Sequence, residues 1–175
     1  MPNILQQVFN SPIVSHIRRN HGLEHATIHV VSRRFPNSTF IGRSDPRGFF
    51  LYGDIATDIL QGSVEEALTR LRAGEQQLAV HSNCGTNYLT TAVMVAGASF
   101  FSLLGTGKNE RTVDRLLRLP MAIAASVFAL ILAKPVGLAV QQRLTTSSDP
   151  GSLKVTAIRR LSSRGPTVHR IVTHS

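Results

Sequence analysis

The stretch His21-Gly22-Leu23-Glu24-His25 puts two imidazoles and a carboxylate within five positions. On a helix, residues four apart project to nearly the same side, so His21 and His25 lie about 40° apart around the axis, with Glu24 about 60° to the other side of His21. Two imidazoles so placed can approach one cation from one direction. The string is an H-x-x-E-H arrangement, the reverse of H-E-x-x-H, in which two histidines hold zinc and the glutamate accepts a proton from water at the metal.

A second cluster, His81-Ser82-Asn83-Cys84-Gly85-Thr86, carries an imidazole and a thiol three residues apart. Zinc sites that do chemistry use three protein ligands and keep a position for water, whereas structural sites close all four. With His21, His25 and His81 as ligands the site is open; with Cys84 as a fourth it is closed. Cys84 has two other readings. A thiol in the turn before a helix meets the positive end of the helix dipole and can serve as a nucleophile, or it is a small buried residue at a tight Cys-Gly turn.

His29 continues the i+4 series, either as a partner behind the ligands or as an ordinary core or surface histidine. His16, His169 and His174 fall outside the pattern and are assigned no role. Gly22, a helix position with no side chain beside His21, marks a close approach by another backbone or a ligand, or simply close helix packing.

These groups must be positioned by recognisable elements. Ser11 as N-cap and Pro12 at the first helical position predict a helix running to about Phe35, stopped by Pro36. Two β-prone runs between Thr39 and Ile55 flank the turn residues Asp45, Pro46, Arg47 and Gly48, which predicts a β-hairpin. Ser63 and Glu66 read as a capping box for an amphipathic helix over about 63–73 that ends at Gly74. Leu153–Leu161 and Pro166–Thr173 form a second expected hairpin around Ser162, Ser163, Arg164 and Gly165.

Two apolar stretches lie between, Leu89–Leu104 and Leu119–Val140, the second interrupted only by Lys134 and Pro135. Crossing a hydrocarbon core takes about 20 residues, so the first is near the lower limit unless it starts at Thr86 or Asn87. In the second, Lys134 can snorkel and Pro135 is expected to kink the helix. The alternatives are a re-entrant hairpin and a pair of buried core helices.

At 175 residues the chain suits one integrated unit. Its organisation reads as a metal-site region over 1–88, an apolar helical hairpin over 89–141 and a basic tail with a β-hairpin over 142–175. The net charge of +9 is uneven: basic and acidic groups nearly balance over 1–88, while 141–175 holds six basic groups against one acidic. Such a tail suits anionic lipid headgroups or nucleic acid. With no Trp, two Tyr and no aromatic residues among the tail arginines, lipid is the expected partner and nucleic acid is disfavoured; self-association and the substrate stay open. A single cysteine excludes an intrachain disulfide and suits a cytosol-facing domain. Met1 to Phe9 lacks the basic region and apolar core of a cleaved signal peptide.

The pairing of H-G-x-E-H-x-x-I at 21–28 with H-x-x-C-G-T at 81–86, directly before an apolar helix, resembles the YqhQ-like family of bacterial membrane proteins. It also looks like a smaller domain-of-unknown-function family, common in photosynthetic bacteria, whose members carry similar H-G-L-E-H-A-T-I-H and H-x-N-C-G-T-N strings. The likeness covers about residues 12–104. It implies a membrane-bound metal site at His21, Glu24, His25, His81 and Cys84, and no established reaction. Ser82 stands where the family motif often has Pro, which leaves the turn less rigid.

The sequence therefore predicts an α+β, membrane-associated protein. It has a long N-terminal metal-site helix, a short β-hairpin, an amphipathic helix, two apolar helices that span or re-enter the membrane, and a C-terminal β-hairpin. The expected setting is a bacterial inner membrane with the soluble part facing the cytoplasm. The expected cofactor is zinc or another divalent transition metal. The leading expectation for function is a metal-dependent hydrolase with Glu24 as general base. The alternatives are a non-enzymatic metal-binding or assembly protein, and a Cys84-dependent transferase or redox protein.

Overall fold

The computed structural model describes residues 11–104, 112–161 and 167–174. The expectations for Met1–Phe9, for most of the loop Gly105–Arg118 and for the turn Ser162–Gly165 lie outside the described residues. The chain divides into two compact units, Met1–His81 with Gln142–Ser175, and Ser82–Gln141.

The first unit is α+β. Helix α1 (Pro12–Arg34) begins as its sequence dictates: Pro12 sits in the first turn, and the Val14 N–H donates to Ser11 Oγ at 3.4 Å. Arg33 and Arg34 in the last turn complement the negative end of the dipole. Strands β1 (Ile41–Asp45) and β2 (Gly48–Tyr52) form the expected hairpin. Its turn is closed by the Arg47 N–H donating to Asp45 Oδ1 at 2.7 Å.

Helix α2 spans Thr57–Arg72, six residues earlier in its start than the capping box predicted, with Ala56 at the N-cap. Ser63 is an interior, buried residue whose hydroxyl donates to the Ile59 carbonyl. Glu66 pairs with Arg34 and Arg70 rather than with a cap. The capping pattern is therefore coincidental, and tertiary ion pairs account for the glutamate.

Strands β3 (Lys154–Arg160) and β4 (Val168–His174) form the second hairpin, and β4 pairs antiparallel with β2, giving one four-stranded sheet in the order β1-β2-β4-β3. Alternation along β2 and β4 sends Phe49, Leu51, His169 and Ile171 to the covered face, all fully buried. Leu23, Ala26, Val30 and Val31 of α1 and Leu60, Val64, Ala67 and Leu71 of α2 complete one continuous core with them.

The second unit is a helical hairpin. Helix α3 (Gly85–Leu103) and helix α5 (Leu119–Val140) pack against each other, and a short helix α4 (Thr112–Leu117) precedes α5. Ser99 meets Ser126 at 2.8 Å and Asn87 meets Gln141 at 2.6 Å, so the two helices run antiparallel. The buried positions of α5 are Ala122, Ala129, Ala133 and Gly137, all small. Its large apolar side chains, among them Met121, Ile123, Phe128 and Ile131, point outward and are exposed. Helix α5 continues through Pro135 to its expected end. Among the described residues one helix, Leu119–Thr145, is long and apolar enough to cross a membrane, and 17% of its most apolar window is buried.

Candidate metal centre

Three histidines of α1 stand at successive helical turns, His21, His25 and His29, on the face turned toward the 3-10 helix Gln76–Ala79 and the residues that follow it. That short helix delivers His81 to the same place. Ring centres are 4.4 Å apart for His21 and His25, 5.9 Å for His25 and His81, and 5.0 Å for His29 and His81. The rings of His25 and His81 are therefore neighbours, as are those of His29 and His81.

Each of these three histidines is tied through one ring nitrogen to a backbone carbonyl. Nδ1 of His21 meets Thr145 O at 3.0 Å, Nδ1 of His25 meets Ala79 O at 2.8 Å, and Nε2 of His29 meets Val80 O at 2.8 Å. A carbonyl can only accept, so the bonded nitrogen carries a proton, and in the neutral ring the lone pair belongs to the other nitrogen. This is the orientation that metal-binding histidines receive from the groups behind them.

His25 is the most informative of the set. It is 1% exposed, and its Nε2 is buried with no hydrogen-bond partner. Burial, aided by the neighbouring His21, pushes its pKa down to about 3 against the pull of the Ala79 hydrogen bond. His81 is likewise shifted down, first by burial and then by His29. A buried imidazole that stays neutral and offers an unshared lone pair is chemically a ligand awaiting a Lewis acid.

The spacings suit that chemistry. At about 2.0–2.1 Å from nitrogen to zinc, two imidazoles at the tetrahedral angle have ring centres roughly 5 Å apart, and the three measured separations bracket that value. The ligand atoms of His21 and His25 lie within 4.8 Å of each other. Cys84 belongs to the helical hairpin, where it is the N-cap of α3 and its Sγ accepts the Thr86 N–H at 3.4 Å.

Glu24 is 4% exposed. Its carboxylate lies against β1, close enough that a β-carbon on Gly42 would stand 2.2 Å from Oε1. It therefore points to the sheet side of α1, one helical step round from the face that carries the histidines.

Gly22 marks a close backbone approach, as one of its sequence readings expected. A β-carbon there would fall 2.1 Å from the Ser147 carbonyl oxygen. The segment around Ser147 is laced to α1 by the Ser147 N–H donating to Arg18 O and by Arg18 donating to Arg143 O and Thr146 O. The same segment supplies the Thr145 carbonyl that orients His21.

Sequence reasoning assigned His29 no firm place, although its i+4 spacing was the available signal. The three orienting carbonyls carry no side-chain signature and could not be read at all.

A family model described as "Domain of unknown function (DUF6391)" matches residues 16–158, a span that includes both histidine strings. An uncharacterized protein from Picosynechococcus sp. is 34% identical over 140 residues, covering 75% of this chain and 66% of that relative. The match thus spans just under two thirds of the relative's length. No solved structure matches the chain.

Proposed function

The chain belongs to the DUF6391 family, and from that premise we propose that it is a membrane-anchored protein that binds a transition-metal cation, zinc foremost, through His21, His25 and His81. The observation that carries this reading is the buried, unpartnered Nε2 of His25 among other imidazoles. Neutral nitrogen donors at these spacings suit zinc and its divalent neighbours. Cys84, three residues of chain beyond His81, is a thiolate donor proposed from the sequence motif. The strings at 21–28 and 81–86 also support kinship with the YqhQ-like membrane proteins.

Membrane attachment rests on the helical hairpin. A soluble helix pair buries its large apolar side chains, whereas this one buries alanine and glycine and turns phenylalanine, isoleucine and leucine outward. Small residues at the helix contact and large ones outside are what lipid favours. The basic C-terminal strands suit anionic headgroups, with the α+β unit on the cytoplasmic side of a bacterial inner membrane.

A second reading, a metal-dependent hydrolase, is favoured by one observation: Glu24 is a buried carboxylate on the same helix. When bound, zinc would supply Lewis-acid activation of water. Glu24 would then accept the proton. Because Glu24 lies against β1, binding without hydrolysis is the reading preferred here.

The discriminating experiment compares wild type with Glu24→Gln, purified in detergent, for metal content by elemental analysis and for hydrolysis of peptide and lipid ester substrates. Equal metal content with no turnover in either supports the binding protein. Turnover by wild type that is lost in Glu24→Gln with metal retained supports the hydrolase. Absence of metal from wild type, even after incubation with zinc, overturns both.

A further inference from the structure

We propose that the histidine cluster provides two overlapping stations for a single cation, one at His21 and His25, the other at His29 and His81, between which the ion passes along the face of α1. This inference rests on the reading that the cluster binds a transition metal.

The rings form an unbroken series, His21 to His25 to His81 to His29, with centre separations of 4.4, 5.9 and 5.0 Å. The series is too long for one coordination sphere. His21 and His29 are eight residues apart on one helix, about 12 Å along its axis, and a zinc-bound nitrogen sits about 2 Å from the ion. One position cannot serve both ends. Yet His29 is prepared as the other two are, its Nε2–H committed to the Val80 carbonyl so that Nδ1 keeps its lone pair. It also contacts His81 at a ring spacing close to that of a tetrahedral pair.

His25 and His81 lie in the middle of the series and can serve either station. His25 is the buried one with the unpartnered nitrogen, which places its lone pair at the crossing point. The stations hold one ion at a time, because two dications a ring spacing apart repel with four times the energy of unit charges and neutral imidazoles do nothing to offset it. Such an arrangement suits a protein that hands a metal ion on, more than one that locks it in place.

The test is a cobalt(II) titration of the metal-free full chain in detergent, for wild type, His21→Gln, His29→Gln and the double variant. Glutamine keeps an N–H for the Thr145 and Val80 carbonyls while removing the imidazole. The expected result is one equivalent in wild type, a loss of about twofold in affinity for each single variant, because the other station still holds the ion, and a loss of about a hundredfold for the double.

A second measurement needs no variant: histidine-labelled wild type with cobalt(II) should show paramagnetically shifted imidazole signals from both His21 and His29. A His29→Gln titration identical to wild type, with His29 unshifted, would overturn the two-station arrangement and leave the metal site standing. So would two equivalents bound by wild type. Absence of cobalt binding by wild type would overturn the metal reading itself.

Discussion

The imidazole of His81 stands 5.9 Å, centre to centre, from that of His25, whose own Nδ1–H is held at 2.8 Å by the carbonyl of Ala79, two residues before His81. The end of the short 3-10 helix and the chain just after it thus do two jobs: Ala79 orients the imidazole already there, and the chain two residues on brings in another. A metal site built this way depends on backbone placement as much as on its ligands.

Close approach at Gly22 is the first point open to test. Alanine is the better helix former by about 1 kcal/mol, yet its β-carbon would stand 2.1 Å from the Ser147 carbonyl oxygen, a backbone atom that cannot swing away. Gly22→Ala should therefore destabilise the protein by about 1–3 kcal/mol, read as a lower midpoint in thermal unfolding. It should also weaken metal binding, since the displaced segment holds the Thr145 carbonyl on His21.

The ion pair of Asp45 and Arg170 gives an acid dependence. Burial alone would raise the Asp45 pKa, but the Arg170 hydrogen bonds, the Arg47 N–H and the charges of both arginines outweigh it and hold the carboxyl below its ordinary value. The folded chain thus keeps this group ionised at pH values where the unfolded chain has taken up a proton. Its stabilisation is present in full above the ordinary carboxylate range and is lost as pH falls through the lowered value. Denaturant midpoints of wild type should drop on acidification more steeply than those of Asp45→Asn.

Asp45→Ala should cost more than Asp45→Asn, because asparagine retains an acceptor for the Arg47 N–H that closes the β1–β2 turn. Each variant should lose about 1 kcal/mol from the arginine contact, with the alanine paying a further fraction for the turn. Equal losses would mean that the turn hydrogen bond contributes nothing.

Membrane attachment is tested at the exposed face of α5. Wild type should sediment with membranes and resist carbonate extraction. Arginine at both Phe128 and Ile131, each exposed, should cost about 2.5–3.5 kcal/mol per site at a helix centre and release the protein from the pellet. Recovery of wild type in the soluble fraction without detergent would contradict the anchor.

Local signals in the chain disclosed most of the elements. Ser11-Pro12 marked the start of α1, apolar length marked α5 to the residue, and the turn clusters marked both hairpins. What they could not disclose was that β4 joins β2 in one sheet, since strand partners far apart in sequence leave no local trace. The start of α2 was misplaced because Ser63 and Glu66 have the spacing of a cap, while their partners, the Ile59 carbonyl and Arg34, are set by tertiary packing and by an earlier helix start.

At the site, helical periodicity located His21, His25 and the series that leads to His29, and the second motif located His81. Periodicity also put Glu24 near the same face, but a helix 60° round can meet a different neighbour, and here β1 approaches closely because Gly42 has no side chain.

The most direct test of the metal centre is an equilibrium zinc titration of the metal-free full chain, wild type against His25→Ala, with circular dichroism to establish that both are folded. One equivalent bound by wild type and at least about a hundredfold weaker binding by the folded variant is the expected result. Equal affinity in the two proteins, or no zinc bound by wild type, would contradict a site built on the buried nitrogen of His25.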